Sequence, residues 1–402
     1  MGVGDRITGG TPRLRKVSPA SQSFRLVLSG LALANPHVGQ GVYTLRLIEG
    51  VEKTLGKRLL IVAPEAVAKP AQIPPENFFG LPKSAFSFPG IIQDAFTANR
   101  LLRLVAHEFP DAVFHSPGPI VGLTRPAKTI VTLHDCLYRH FSNYHGRFHL
   151  RRLLMEATER FARSASLVLT DSEYSRRDLI AKANIPEGKI EVLYPWVGNE
   201  FLQPSDSDEA TRVRLSLGLP NQFWLYLGGF DYRKNIEFML AAYAEAAKKR
   251  ELPPLVLAGR IPDQENPATC DVRGALRRLG LAKEQVILPG AVLAGDLPGL
   301  YRAASLLIFP SLMEGFGLPP AEATAVGTPV LSSSAGSLPE VINNPDSLFD
   351  PTDAAQLKEK LRRASNDERQ FANTFPVEFT EAHGVERYLQ LMEEAATGGH
   401  RD

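Results

Sequence analysis

The stretch from Ser305 to Ser334, SLLIFPSLMEGFGLPPAEATAVGTPVLSSS, limits what this chain can fold into more than any other. Leu306-Leu307-Ile308-Phe309-Pro310 is an apolar run of the length and branching expected of a strand buried on both faces of a parallel sheet. The loop after it carries Glu314, Gly315, Phe316 and Gly317. Pro319 and Pro320 fit only the first turn of a helix, where a missing amide donor costs nothing, and Glu322 is expected inside that turn. Gly327 and Pro329 close the helix, and Val330-Leu331 begins another strand. Strand, loop, helix and strand in this order make one unit of a parallel α/β sheet, whose ligands bind beyond the carboxyl ends of the strands. The loop and the helix start therefore place two carboxylates, Glu314 and Glu322, at a ligand edge.

The amides of the helix start, with Leu318 at its head, favour an anion, and Gly315 and Gly317 let a phosphate approach the backbone. Carboxylates beside such a pocket accept hydrogen bonds from hydroxyls. A ligand with both groups is a sugar nucleotide. Taken singly, Glu322 also reads as a residue complementing the helix dipole and Glu314 as a solvated loop residue.

Upstream, Phe24 to Ser29 is the first strand, followed by the loop LALANPHVGQG and a helix from Val42 to about Leu55. A dinucleotide-binding turn puts G-x-G-x-x-G directly after the strand. Here Gly39-Gln40-Gly41 comes only after a longer loop, which disfavours a nicotinamide or flavin enzyme. Strand-like runs recur at Leu59–Val62, Ala112–His115, Thr129–Leu133 and Leu167–Thr170, alternating with helical stretches, as in a doubly wound parallel sheet. The third of these runs directly into His134-Asp135, at the ligand edge. A histidine and an aspartate there also serve as ordinary turn residues. Asp171 or Ser172 is the expected N-cap of the helix that follows Thr170.

Residues 138–165 are basic and aromatic, and the helix from about Phe148 is expected to bury Leu150, Leu153, Leu154, Ala157 and Phe161. Two readings stay open: a solvated basic face, or a surface for anionic lipid or a lipid-diphosphate acceptor. The segment YPWVGNEFLQPSDSD supplies an interdomain linker at 196–207. A second set of strands begins at Phe223–Gly228 and is followed by Gly229-Phe230-Asp231-Tyr232-Arg233-Lys234-Asn235 and a helix. Two adjacent cations at a helix start are electrostatically misplaced unless an anion binds there, and arginine with lysine suits a diphosphate. Further strands at Leu255–Ala258 and Val286–Leu288 end in glycine turns, the second running Gly290-Ala291-Val292.

EGFGLPPAEATAVGTPVLSS, with seven residues between its two glutamates, and GGFDYRKN together resemble the signature of glycosyltransferase family 4, retaining enzymes of the GT-B fold. The resemblance covers nearly the whole chain from Phe24. It implies two doubly wound Rossmann-like domains facing a cleft, and transfer of a hexose from a nucleotide-diphosphate sugar to a saccharide or lipid-linked saccharide acceptor. Mannose from a guanosine donor is the sugar that relatives with these patterns commonly use, and cell-surface polysaccharide or lipopolysaccharide synthesis is the setting. By the same resemblance Arg233 and Lys234 hold the diphosphate, Glu314 grips the transferred sugar, Glu322 takes the ribose diol, and His134 contacts the sugar. Gly39 and Gly41 match a loop closing over donor and acceptor, with a plain helix-entry turn as the alternative. Gly229 and Val292 lie in turns that border the nucleotide, and Gly315, Phe316, Gly317 and Leu318 cradle it. The family mechanism needs no protein nucleophile, no resident cofactor and no metal, and no D-x-D stands at a strand end of this chain. The family's final helix returns to the first domain, but the tryptophan that many relatives carry before it is absent from FPVEFTEA.

The expected organisation is a disordered lead at 1–22, a first domain at 23–195, the linker, a nucleotide-sugar domain at 208–378 and a returning helix at 379–396. A net charge of +1 supplies no drive toward nucleic acid. Cys136 and Cys270, far apart and without metal-ligand spacing, suit a reducing cytosol. The N-terminus has no apolar segment of a secretory signal and the chain no membrane-spanning run, so the expected place is the cytoplasm, with peripheral contact on the inner face of the membrane if 138–165 binds lipid. A sugar-nucleotide epimerase of the same fold and a non-catalytic sugar-nucleotide-binding protein are the competing functions.

Overall fold

The structure, a computed structural model, describes residues 24–35, 39–71, 73–82, 90–141, 149–204, 208–248, 250–261 and 269–398. The lead at 1–22 and part of the basic segment, 142–148, lie outside the described residues.

The strands of the first sheet are β1 (Leu26–Ser29), β2 (Leu59–Pro64), β3 (Phe78–Leu81), β4 (Val113–Ser116), β5 (Lys128–Thr132), β6 (Leu167–Thr170) and β7 (Ile190–Val192). They pair in parallel in the order β3-β2-β1-β4-β5-β6-β7. The second sheet comprises β8 (Trp224–Leu227), β9 (Leu255–Ala258), β10 (Val286–Gly290), β11 (Leu306–Phe309), β12 (Val330–Ser333) and β13 (Leu348–Phe349). Its order, β10-β9-β8-β11-β12-β13, is again all parallel. Central strands such as LVLS, LVLT and LLIF are buried at every position, because helices cover both faces. Strand order reverses between β1 and β4 and between β8 and β11, opening a crevice at the carboxyl edge of each sheet. This is the architecture the sequence implies.

Each sheet has an apolar core on both faces. The helix Glu381–Thr397 leaves the second half of the chain and packs Tyr388, Leu389, Leu391 and Met392 into the first sheet's core. Its Tyr388 hydroxyl lies 2.8 Å from His115 Nδ1, and His115 Nε2 lies 2.9 Å from Thr132 Oγ1. The indole packed against this helix comes from the linker. A Cβ at Gly384 would stand 2.3 Å from the Trp196 ring, and one at Gly50 3.3 Å from it. Val197 N donates to Phe379 O (2.9 Å), so linker and return segment run side by side.

Some boundaries differ from the sequence reading. The helix expected from Val42 spans Gly39–Leu55, so Gly39 and Gly41 lie in its first turn rather than in a loop; glycine is a poor helix former, which hides a helix that starts on it. In the helix His149–Arg163, Leu153 is 55% exposed while Thr158, Phe161 and Ala162 are buried, so the apolar stripe lies rotated from the expected one. The edge strand β3, FFGL, is half exposed and carries a glycine, and its sequence lacks a strand's signature.

Candidate active site

The site forms where the carboxyl edges of the two sheets face each other. From the second sheet, β11 ends in the loop to Gly317, and Glu314 to Gly317 are all buried. The loop is pinned from both sides: Leu312 N donates to Arg233 O (2.7 Å), and Ser337 Oγ donates to Glu314 O (3.0 Å) and Phe316 O (2.8 Å). Gly317, at φ 113°, turns the chain into the helix Leu318–Ala325, where only glycine is unstrained. Because that helix begins at Leu318, its prolines occupy the first turn as expected, whereas Glu322 falls one turn further in.

Arg233 and Lys234 sit in a short 3-10 turn, Tyr232–Lys234, ahead of the helix Ile236–Ala247. Asn235, at φ 58°, makes the bend between them, and its side chain donates to Pro351 O (2.9 Å). The turn aims both cations at one carboxylate. Arg233 Nη1 lies 2.7 Å from Glu314 Oε2, and Lys234 Nζ lies 2.7 Å from Glu314 Oε1. Arg233 Nε also lies 2.9 Å from Asp231 Oδ1. Burial pushes the Glu314 carboxyl up, but Lys234 and Arg233 outweigh it and hold the group at about 2. Glu314 is thus ionised and internally neutralised.

Glu322, also buried, has a different partner from any the sequence suggests. Its Oε1 accepts from Arg46 Nη2 at 2.8 Å, and its Oε2 from the Tyr301 hydroxyl at 3.1 Å. Arg46 belongs to the helix Gly39–Leu55, so this ion pair joins the two halves of the molecule. Burial raises the Glu322 carboxyl above its ordinary value, and Arg46 opposes that rise. No local sequence signal marks Arg46, because the pair spans 276 positions.

From the first sheet, His134 follows β5. Its Nδ1 is 2.8 Å from Asp171 Oδ2 and its Nε2 is 3.1 Å from Pro117 O, and the Tyr43 ring meets it edge-on at 4.9 Å. Both ring nitrogens face acceptors. Burial lowers the imidazole's pKa, but Asp171 and the other acceptors outweigh it and raise the group above its ordinary value. The sequence left Asp171 and Ser172 as alternative N-caps. Ser172 takes the cap, accepting from Ser175 N at 3.0 Å, which frees Asp171 for the histidine.

The halves touch around this site. A Cβ at Gly315 would lie 2.9 Å from His134 O, and Ser175 Oγ donates to Gly315 O (3.2 Å). Glu340, from the second half, accepts from Glu173 N (2.9 Å), Tyr174 N (2.7 Å) and the Tyr194 hydroxyl (3.2 Å), capping a first-half helix. Beside His134 opens a cavity of about 1130 Å³ whose described lining comes from the first domain, including Asn35, Gln40, Gly41, Arg100 and Asp135. Gly229 and Val292 lie in the turns after β8 and β10 at the facing edge.

Among the described residues, Cys136, His140 and Asp178 bring potential metal ligands together. Asp178 Oδ2 takes the Cys136 thiol (2.8 Å) and lies 2.6 Å from His140 Nε2, while Lys182 Nζ is 2.9 Å from the His140 ring nitrogens. An ammonium stands where a metal's charge would sit, which fits a closed hydrogen-bond network better than a metal centre.

Two all-parallel sheets whose carboxyl edges face each other across a cleft define the GT-B fold. Residues 38–200 match the profile of Glycosyltransferase Family 4, and residues 208–376 that of Glycosyl transferases group 1. The chain belongs to glycosyltransferase family 4. The O-antigen chain mannosyltransferase B of Escherichia coli is 30% identical over 263 residues, covering 65% of this chain and 67% of that protein. The serotype-specific mannosyltransferase WbdA of Escherichia coli is 30% identical over 277 residues, 66% of this chain and 34% of WbdA. This chain therefore spans about a third of the length of that relative. The fold superposes on Anabaena HepE, solved in complex with UDP and glucose, with a TM-score of 0.67 at 18% identity over 94% of this chain and 99% of that one. No helix among the described residues is long and apolar enough to cross a membrane.

Proposed function

We propose that this chain is a retaining mannosyltransferase that moves mannose from GDP-mannose to a saccharide or lipid-linked saccharide acceptor in surface polysaccharide or lipopolysaccharide synthesis. The observation that carries the reading is the meeting of Glu314, Arg233 and Lys234 with His134 across one cleft. Relatives named as mannosyltransferases support the choice of sugar.

In this reading the donor's diphosphate takes Arg233 and Lys234, together with the amides at the start of the Leu318–Ala325 helix. Glu314, released from the cations, turns to a hydroxyl of the mannose, and Glu322 takes the ribose diol. As the anomeric C–O bond breaks, positive charge grows on the sugar and negative charge on the leaving phosphate. The cations and amides act where that negative charge develops. The acceptor hydroxyl attacks from the leaving group's face. Its proton passes to the departing phosphate oxygen, so the products are the α-linked glycoside and GDP, and no protein nucleophile is used. Two fixed cations do the electrostatic work that a metal performs elsewhere, so the proposed reaction needs neither metal nor resident cofactor. The first-domain cavity receives the acceptor, and the exposed basic edge around Arg152 and Arg160 is the proposed peripheral contact with anionic lipid.

Incubation with GDP-mannose, with and without a mannose-terminated saccharide, tests this. Acceptor-dependent release of GDP with a new α-linkage by NMR is expected, and it should persist in EDTA. Turnover without acceptor would point to an epimerase or a hydrolase instead. Absence of transfer from GDP-, UDP- and ADP-sugars alike would sink the reading.

A further inference from the structure

Arg46 occupies the carboxylate that the ribose is proposed to use, and it does so from the opposite domain. Its Nη2 lies 2.8 Å from Glu322 Oε1, its Nη1 donates to Trp196 O at 3.2 Å, and its guanidinium lies 5.8 Å from the centre of the Phe201 ring. The carboxylate's other oxygen already accepts from Tyr301. Each oxygen of Glu322 thus has a donor, and with the side chain only 8% exposed a ribose diol reaches it only if Arg46 moves aside. A second carboxylate stands ready for the guanidinium: Glu200 Oε1 is 3.9 Å from the same Nη2, too far for a hydrogen bond and close enough for a small side-chain swing. Glu200 is 56% exposed by side chain against 8% for Glu322, so the pair with Glu322 is the stronger in the ligand-free protein.

We propose that Arg46 is an internal competitor for the ribose, a latch that holds the donor half of the cleft against the first domain and swings from Glu322 to Glu200 when a nucleoside diphosphate binds. The inference rests on the donor-site reading above and adds a cost to it. Only the fraction of molecules with Arg46 released is competent to bind, so the apparent affinity is reduced by that fraction. The exchange is close to balanced by design: Glu322 gives up one charged donor and gains two hydroxyl donors, while Arg46 keeps a carboxylate. Donor binding and breakage of the interdomain contact thereby become one event.

The test is a binding cycle by calorimetry on the full chain. GDP, UDP and ADP are titrated into the wild type, Arg46→Met and Glu200→Gln, and the best binder is repeated as its 2′,3′-dideoxy form. The latch predicts that Arg46→Met binds the ribonucleotide about tenfold more tightly than the wild type, the worth of one charge-assisted hydrogen bond, with little gain for the dideoxy form. Glu200→Gln should bind about two- to fivefold more weakly, because the displaced guanidinium loses its landing site. A substitution that merely loosened the fold would weaken binding in both variants, so the opposite signs are diagnostic. If the ribonucleotide is preferred over its dideoxy form but Arg46→Met binds it equally or more weakly, Arg46 is a nucleotide ligand and the latch is refuted. If Arg46→Met binds the dideoxy form as tightly as the ribonucleotide, or no nucleotide binds any of the three proteins, the donor-site reading itself fails.

Discussion

Replacing Glu314 by glutamine tests whether the two cations of the site are held ready for a diphosphate. In the ligand-free protein this carboxylate is the 2.7 Å partner of both Arg233 and Lys234. Holding a carboxyl that ordinarily titrates at 4.5 down at about 2 is worth about 3 kcal/mol, at about 1.4 kcal/mol per factor of ten. Because the folded value is the lower one, that stability is fully present above pH 4.5 and is lost as the pH falls through about 2. At neutral pH Glu314→Gln should therefore cost about 3 kcal/mol, in line with the 3–5 kcal/mol typical of breaking a buried pair from one side, and lower the melting temperature of the second domain by roughly 6–12 °C. The variant also leaves buried Lys234 and partly buried Arg233 short of negative charge, which a diphosphate can supply. GDP or inorganic pyrophosphate should then raise the melting temperature of Glu314→Gln by more than it raises that of the wild type, although transfer is abolished. Differential scanning fluorimetry at matched ligand concentrations measures both. An unchanged melting temperature without ligand would refute the charge accounting. A smaller response to diphosphate in the variant would refute the claim that anion and glutamate share the same cations.

Arg233→Ala should lose most of the stabilisation by nucleoside diphosphate, which at about a hundred times the dissociation constant is about 2.7 kcal/mol, and an undiminished thermal shift would contradict the diphosphate assignment. His134→Ala should keep that shift and lose turnover by about a hundredfold or more, because in the proposed reading the histidine faces the sugar rather than the diphosphate; loss of nucleotide binding would argue against that division. Gly384→Ala, normally a gain in a helix, should instead cost about 1–3 kcal/mol, since its Cβ would stand 2.3 Å from the Trp196 ring; a melting temperature at or above wild type, with unshifted tryptophan fluorescence, would contradict the packing. Burial, and secondarily His134, hold the His115 imidazole at about 3, so below pH 6.5 the unfolded chain takes up a proton that the folded one does not. Stability should fall by about 1.4 kcal/mol per pH unit from pH 5.5 to 4.5 on this account, and His115→Gln should remove that slope in urea titrations.

What the sequence made readable was local. Buried parallel strands are continuous apolar runs, and glycine and proline mark where they stop, so LLIF and the helix headed by Pro319 and Pro320 stand almost where expected. The pairing of Arg233 and Lys234 with one another was legible because they are adjacent. Their pairing with Glu314 was not, since it depends on β8 and β11 lying side by side, which is a property of the sheet order. Likewise Asp171 read as a helix cap because capping is the ordinary fate of an aspartate after a strand, and only the position of β5 beside β6 brings it to His134.

The least legible residues are the ones that join the domains. Arg46, Glu340 and Trp196 each look unremarkable beside their sequence neighbours, and each works at the boundary: Arg46 on Glu322, Glu340 on the amides of Glu173 and Tyr174, Trp196 between Gly50 and Gly384. Two of these contacts are polar and one is apolar, and the difference has a consequence for motion. The indole contact is dry and close-packed, so the returning helix and Trp196 move with the first domain as one body. The polar contacts can be exchanged for ligand hydroxyls or water at little net cost. A hinge is therefore best placed between Trp196, in the first sheet's core, and Val197, buried in the second's, with Arg46 and Glu340 as the contacts that break when the cleft opens and Trp196 as the one that does not.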